Sequence, residues 1–147
     1  MTDPERLAAL APRIMNAFHS FRPPGGGNDR LSRRQYQALM IIGSSGGIDL
    51  SQLGDMLKIA PSTATELADR MVDLGLIEKR RGPGDRRQGL LRLSGKGGEL
   101  LRRRRDDLTG MFERMLGALV PRDRSVIVKA FSSIGEIAGK LGRGSAS

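Results

Sequence analysis

The sequence contains no cysteine, no tryptophan and only one histidine, His19. The absence of cysteine excludes disulfides, thiolate metal ligands and thiol redox sensing. A single histidine gives little basis for a metal site or a catalytic triad, and the sequence shows no cluster of carboxylates that could serve either purpose. We therefore expect no metal, no cofactor and no enzymatic activity.

Long apolar runs are also missing. No stretch approaches the 18 or so apolar residues of a membrane-spanning helix. The start, MTDPERLAAL, has early acidic residues and no basic segment before a long apolar run, unlike a secretory signal. These features predict a soluble, cytoplasmic protein without membrane partners.

Aromatic residues make up only 3% of the 147 residues, so the core of one ordinary domain must use aliphatic and methionine side chains. Basic residues are abundant: 25 Lys and Arg face 16 Asp and Glu, giving a net charge of +9. This excess favours a polyanionic partner, either nucleic acid or an acidic membrane surface.

Both ends of the chain show helical periodicity. Thr2 or Asp3 and Pro4 are suited to open a first helix, and a last helix is predicted from about Arg122 to Leu141. We expect the last helix to bury its apolar side, which comprises Val126, Ile127, Ala130, Phe131, Ile134, Ile137 and Ala138. An apolar face with no partner in its own domain favours a homodimer interface, predicted to include Leu7, Leu10, Ile14, Phe131, Ile134 and Ile137. The alternative is that the two helices pack only on each other within one chain.

The middle of the chain has the spacing of a helix-turn-helix. A helix from about Ser32 to Ile42, with Tyr36, Leu39 and Met40 inward, precedes it. Asp49 and Gln52 then form a capping-box pattern that opens a short helix through Leu57. The next helix is predicted from Pro61 to about Leu74, ending at Gly75.

The second helix of this pair has features of a DNA recognition helix. Its N-terminal part presents small hydroxyl side chains that suit base edges and phosphates in a major groove, and a helix N-terminus favours a phosphate. The predicted contacts are Pro61, Ser62, Thr63 and Thr65, with Arg70 reaching the flanking backbone. The alternative is purely structural, with Thr63 and Glu66 forming a capping box of their own.

Two apolar stretches, LIEKRR and LLRLS, predict a β-hairpin around the segment GPGDRRQG. At the tip of such a hairpin, Arg86 and Arg87 are suited to enter a narrow minor groove. Asp85 is suited to orient a neighbouring arginine, and Arg81, with Lys79 and Arg80, to contact phosphates. A merely solvated charged hairpin is the alternative.

The segment from Leu50 to Gly97 resembles the signature region of the MarR family of transcriptional regulators. The resemblance rests on the leucine-rich first helix, the Ser/Thr-rich second helix ending in DRMVDLGLIEK, the wing element Asp85-Arg86-Arg87 and the following LLRLSGKG. It implies a mainly α fold with a small β-hairpin wing, a winged helix-turn-helix between N- and C-terminal dimerisation helices. The corresponding boundaries are one domain over 1–147, dimerisation helices at 1–22 and 97–141, a DNA-binding lobe at 31–96 and a disordered tail at 142–147.

The resemblance further implies a homodimer that binds a palindromic operator, usually as a repressor. The helix matching Pro61 to Leu74 would enter the major groove, and the arginine matching Arg87 would contact the minor groove. A small aromatic or anionic ligand often releases DNA in this family, and Phe18, Tyr36 and Met40 are the candidate lining of its pocket. The sequence departs from the family at Ala60, where a Ser or Thr cap is common.

Two questions stay open at this stage. The run Arg102 to Arg105 circles a helix, and its role is undetermined, with solvation as the default. A winged-helix module that contacts protein or RNA, without operator binding, is the alternative function. Arg86 and Arg87 argue against it, because such a module has no need of arginines at the hairpin tip.

Overall fold

The computed structural model describes residues 1–22, 31–81 and 89–144. Its elements follow the predicted order of helices and hairpin, with one additional short strand. They are α1 (Asp3–His19), α2 (Arg33–Ser45), β1 (Ile48–Asp49), α3 (Leu50–Leu57), α4 (Pro61–Asp73), β2 (Ile77–Arg81), β3 (Gly89–Leu93), α5 (Gly95–Gly117) and α6 (Pro121–Gly144). The mainly α winged helix-turn-helix fold is therefore confirmed. Among the residues described, no helix combines the length and apolarity needed to cross a membrane.

The chain divides into two compact units. One, which we call the central lobe, comprises Gly27–Arg105; the other, the terminal-helix unit, comprises Met1–Gly26 and Asp106–Ser147. The helix-turn-helix and the hairpin belong to the central lobe.

The central lobe has a continuous apolar core. Leu39, Leu53 and Met71, from α2, α3 and α4, are fully buried, and Ile77 and Leu91 bring the sheet onto the same core. The predicted inward face of α2 holds for Leu39, but it is wrong for Met40, which remains 44% exposed. The helix continues three residues beyond Ile42, and Tyr36 is half-buried.

The sheet has three antiparallel strands in the order β1-β3-β2. Ile77 pairs with Leu93 and Arg81 with Gly89, which confirms the predicted hairpin. The sequence did not indicate β1, because two residues are too few to show alternation. This strand pairs Ile48 with Leu91 and so ties the entry of α3 to the hairpin.

The terminal-helix unit buries far less apolar surface. Thr2 caps α1 as predicted, and hydrogen bonds from its backbone and side chain to the Glu5 carboxylate lower the pKa of Glu5. No residue of α1 is buried, and none from Pro121 to Leu141 is buried in α6. The predicted burial of the α6 apolar side is therefore wrong within one chain. Helix α6 also extends to Gly144, three residues into the predicted tail.

Three phenylalanines hold the terminal-helix unit together. Phe18 of α1, Phe112 of α5 and Phe131 of α6 make mutual ring contacts with centroid separations of 5.5–6.0 Å and edge or tilted geometry. The guanidinium of Arg114 also donates to the Phe21 carbonyl at 2.8 and 3.2 Å, which fastens the end of α1 to α5. Even so, Phe131 stays 44% exposed.

Candidate nucleic-acid interface

Helices α3 and α4 form the predicted helix-turn-helix. Asp49 Oδ1 accepts from the Gln52 backbone at 2.7 Å, and the Gln52 side chain accepts from the Asp49 backbone at 3.0 Å, so the predicted capping box is present. Lys58 ends α3 in the left-handed region, with φ 56°. A Cβ at the buried Gly54 would lie 3.3 Å from the Ala64 Cβ, so a glycine lets α3 approach α4 closely.

Helix α4 separates a buried face from an exposed polar one. Ala64, Leu67, Ala68 and Met71 are buried against the lobe core. The predicted DNA contacts Pro61, Ser62, Thr65 and Arg70 are exposed, and Thr63 is half-buried. The face turned to solvent therefore carries hydroxyl groups near the helix N-terminus, where peptide dipoles favour an anion.

The alternative that Thr63 and Glu66 cap this helix is wrong. The helix begins one residue after Ala60, its N-cap, and no side chain caps it. Thr63 and Glu66 lie inside the helix, so their backbone geometry does not allow the reciprocal bonds of a capping box. The Thr65 hydroxyl donates to the Pro61 carbonyl at 3.0 Å, within the first turn.

Helix α4 is not itself basic. Its sequence, Pro61–Asp73, includes Glu66, Asp69 and Asp73 against one cation, Arg70. The hairpin strand β2 compensates for one of these acids, because Lys79 Nζ lies 2.8 Å from Asp69 Oδ1. Sequence reasoning assigned Lys79 to phosphate and missed this pair, since ten residues separate its partners and no short-range pattern links them.

The hairpin carries the local positive charge. Its sequence from Ile77 to Leu93 has six basic residues, Lys79, Arg80, Arg81, Arg86, Arg87 and Arg92, and two acidic ones, Glu78 and Asp85. Arg80 Nη2 lies 3.1 Å from Glu78 Oε2, and the strands pair as far as Arg81 and Gly89. The side chain of Arg81 and the predicted wing residues Asp85, Arg86 and Arg87 lie outside the described residues.

Comparison with known proteins agrees with this geometry. Residues 31–88 match the model of the MarR family. No curated protein matches the sequence. This segment is therefore similar to a MarR-family domain.

Solved structures extend the likeness to the whole chain. The structure of RV1404 from Mycobacterium tuberculosis matches with a TM-score of 0.77 and 23% identity, covering 92% of this chain and 91% of that one. A MarR-like transcriptional regulator from Thermotoga maritima matches with a TM-score of 0.74 and 20% identity over 95% and 98%. Streptococcus pneumoniae FabT, solved in complex with DNA, matches with a TM-score of 0.70 and 21% identity over 95% and 99%. Identities this low establish that the fold is shared, and nothing further.

The central lobe contains a cavity of about 430 Å³ beside the start of α4. The cavity opens among α3, the first turns of α4 and the hairpin strands, and its polar lining includes Ser51, Asp55, Thr65 and Lys79. None of the predicted ligand residues Phe18, Tyr36 and Met40 lines it. Phe18 belongs to the phenylalanine cluster of the terminal-helix unit, while Tyr36 and Met40 lie in the central lobe. A pocket built from those three remains a prediction.

Some side chains of the arginine run on α5 contact neighbouring residues of the central lobe. Arg102 pairs with Glu99, and the Arg104 guanidinium stands 4.4 Å from the centroid of the Tyr36 ring, a cation–π distance. Arg103 and Arg105 are exposed. Consecutive positions around the helix thus place these side chains in different surroundings.

Proposed function

We propose that this protein is a sequence-specific regulator that binds double-stranded DNA as a homodimer and represses transcription from a palindromic operator. The observation that carries the proposal is the exposed hydroxyl face of α4 next to a cationic hairpin, on a MarR-family domain. The similar fold of FabT, solved in complex with DNA, supports the same function. The repressor role rests on the family resemblance.

In this proposal the N-terminal part of α4 enters a major groove. Ser62, Thr63 and Thr65 bond to base edges or phosphates, the Pro61 turn presents free backbone N–H groups to a phosphate, and Arg70 contacts the flanking backbone. The acidic residues of α4 oppose close approach to phosphates. Lys79 lessens that repulsion at Asp69, but Glu66 and Asp73 also carry negative charge. The affinity for DNA must therefore come mainly from the hairpin.

The hairpin supplies that affinity through the minor groove. Arg86 and Arg87 insert guanidinium groups, Asp85 orients one of them, and Arg81 binds the adjacent phosphates. Two such hairpins on a symmetric dimer would clasp the duplex on either side of the paired α4 helices.

A homodimer accounts for the exposed apolar side chains at both ends of the chain. The relevant exposed fractions are 68% for Leu7, 43% for Leu10, 48% for Ile14, 44% for Phe131, 62% for Ile134 and 55% for Ile137. Exposed apolar side chains of this number are costly in water, and that cost is removed when a second copy covers them. A two-fold dimer also matches the symmetry of a palindromic site.

We also propose that a small aromatic or anionic molecule releases the DNA. The cavity beside α4 supports this step, because a ligand there would contact Thr65 and compete with Asp69 for Lys79. A ligand screen on the protein–operator complex, read as loss of anisotropy, tests it. Ligands that bind but leave the DNA complex intact would contradict it.

The DNA proposal is tested on duplexes selected from a random pool by the purified protein. Fluorescence anisotropy is measured from 50 to 200 mM salt. If the protein makes about 6–10 phosphate contacts, its affinity should fall by about 10³–10⁵-fold over this range. Single-stranded RNA of the same sequence serves as the competing ligand, because the alternative is a module for RNA or protein. A salt-independent signal, or preference for the RNA, would exclude operator binding, and a reporter driven by the selected site distinguishes repression from activation.

A further inference from the structure

The end of the recognition helix is held by the start of α5. Three consecutive carbonyls that follow α4 each receive a contact from residues 94–97. Lys96 Nζ donates to the Leu74 carbonyl at 2.9 Å, Ser94 Oγ donates to the Gly75 carbonyl at 2.5 Å, and the Ser94 backbone N–H donates to the Leu76 carbonyl at 3.0 Å. We call Ser94, Lys96 and Gly97 the α4–α5 latch.

The helix end inside the latch has a defined geometry. Gly75 is in the left-handed region with φ 74°, the Gly75 N–H donates to the Val72 carbonyl at 2.9 Å, and the Leu76 N–H donates to the Met71 carbonyl at 3.0 Å. These two hydrogen bonds form the pattern of a Schellman motif. The latch therefore binds a helix end that is already ordered, and it gives a partner to the carbonyl of Leu74, the C-cap, and to the two carbonyls that follow it.

Gly97 makes the close approach possible. A Cβ at this position would lie 2.1 Å from the Leu76 carbonyl oxygen and 3.0 Å from its carbon, a contact that only a backbone shift would relieve. Ser94 Oγ also accepts from the Gly97 N–H at 3.0 Å and so caps α5. One hydroxyl thus connects the first turn of α5 to the glycine that follows the end of α4.

The position of the latch along α5 gives it a further role. Helix α5 spans Gly95–Gly117 without interruption, while the central lobe ends at Arg105 and the terminal-helix unit resumes at Asp106. Through the latch, the helix that belongs to both units is hydrogen-bonded to the end of the recognition helix. The opposite end of α4 has no side-chain cap, so its direction depends on its buried face and on this grip.

We propose that Ser94, Lys96 and Gly97 are positioning residues that fix the direction of α4 and thereby set the spacing between the two recognition helices of the dimer. The inference rests on the proposed function. Helix α4 has 13 residues and is about 18 Å long from first to last Cα. A tilt of about 10° at the latched end would move its DNA-reading end by about 3 Å, close to the rise of one base pair.

A spacing series tests this role. Operators selected by the parent protein are remade with one or two base pairs inserted or removed between the half-sites, and Kd is measured for each. The parent should favour one spacing. The double variant Ser94→Ala with Lys96→Met removes the three hydrogen bonds of these two side chains. The preference for that spacing should shrink by at least about 3- to 10-fold, the change expected from the loss of one such bond. The dimer mass and far-UV circular dichroism should not change.

The controls separate positioning from charge and from stability. Ser94→Thr keeps the hydroxyl and Lys96→Arg keeps a cationic donor, so both should retain the parent's spacing preference. A loss of affinity that is equal at every spacing would overturn the inference, because a phosphate contact or a loss of stability acts uniformly. If the double variant does not fold, Lys96→Met alone is used, since that side chain is exposed. Failure of the parent to bind any duplex would instead refute the proposed function.

Discussion

The central lobe and the terminal-helix unit use their apolar residues in opposite ways. Among the residues described, thirteen of the fifteen buried apolar residues belong to the central lobe, and two, Met111 and Met115, belong to the terminal-helix unit. The large exposed hydrophobic residues show the reverse distribution, with four in the central lobe and thirteen in the terminal-helix unit. The lobe completes its core within one chain, whereas the terminal helices do not.

This difference assigns separate physical tasks to the two units. The proposed DNA-reading surface needs fixed backbone geometry, and the core beneath α4 supplies it within one chain. The terminal helices have the phenylalanine cluster as an internal anchor, and their remaining apolar faces are available for a second copy. Stability of the lobe and assembly of the proposed dimer should therefore respond to different substitutions.

The largest effect is expected where a charge enters the exposed apolar face. Ile14→Asp removes about 1.5–3 kcal/mol of burial from each copy in the proposed dimer and adds the cost of burying a carboxylate. We expect a monomer by light scattering and a steep loss of operator affinity, with the helical circular dichroism of the lobe retained. Asn16→Asp adds the same charge to the same exposed helix two residues away, and it should remain a dimer. A dimeric Ile14→Asp would show that this face is not the interface.

Much of the lobe could be predicted from sequence because its signals are local. The capping box of Asp49 and Gln52, the Pro61 start of α4 and the αL residue Gly75 each depend on a few neighbouring residues, and the structure confirms all three. The hairpin register follows from two alternating stretches separated by a glycine-rich segment. Local chemistry therefore determines most element boundaries here.

Burial and long-range pairing could not be predicted in the same way. Periodicity shows that α6 has an apolar side, but it does not show whether that side is covered by the same chain. Lys79 and Asp69 pair across ten residues, and Ser94 reaches the Gly75 carbonyl across nineteen. Such contacts depend on how the elements pack, which single-sequence patterns do not encode. Met40 illustrates the limit, since its position on α2 fits an inward face and yet the residue is exposed.

The next largest effect should be confined to the core of the central lobe. Leu39 is fully buried, so Leu39→Ala should lower the free energy of unfolding by about 2–5 kcal/mol through lost burial and a residual cavity. Urea denaturation at fixed protein concentration measures this change. Met40→Ala is the matched control, because its side chain is adjacent on the same helix but exposed, and it should stay within about 0.5 kcal/mol of the parent. Equal losses in the two variants would contradict the observed burial of α2.

A smaller effect, confined to binding, is expected at the proposed wing arginine. Arg87→Ala should weaken operator binding by about 1–3 kcal/mol if its guanidinium contacts a base edge in the minor groove. Anisotropy titrations measure the change, and urea denaturation and light scattering should give the parent's values. Arg103→Ala removes the same charge from an exposed position on α5 and controls for the protein's overall positive charge. Long-range attraction to DNA is shared among all 25 basic residues. A loss of affinity specific to Arg87→Ala would therefore indicate a direct contact. Equal small losses in both variants would instead show that the hairpin contributes only general electrostatic attraction.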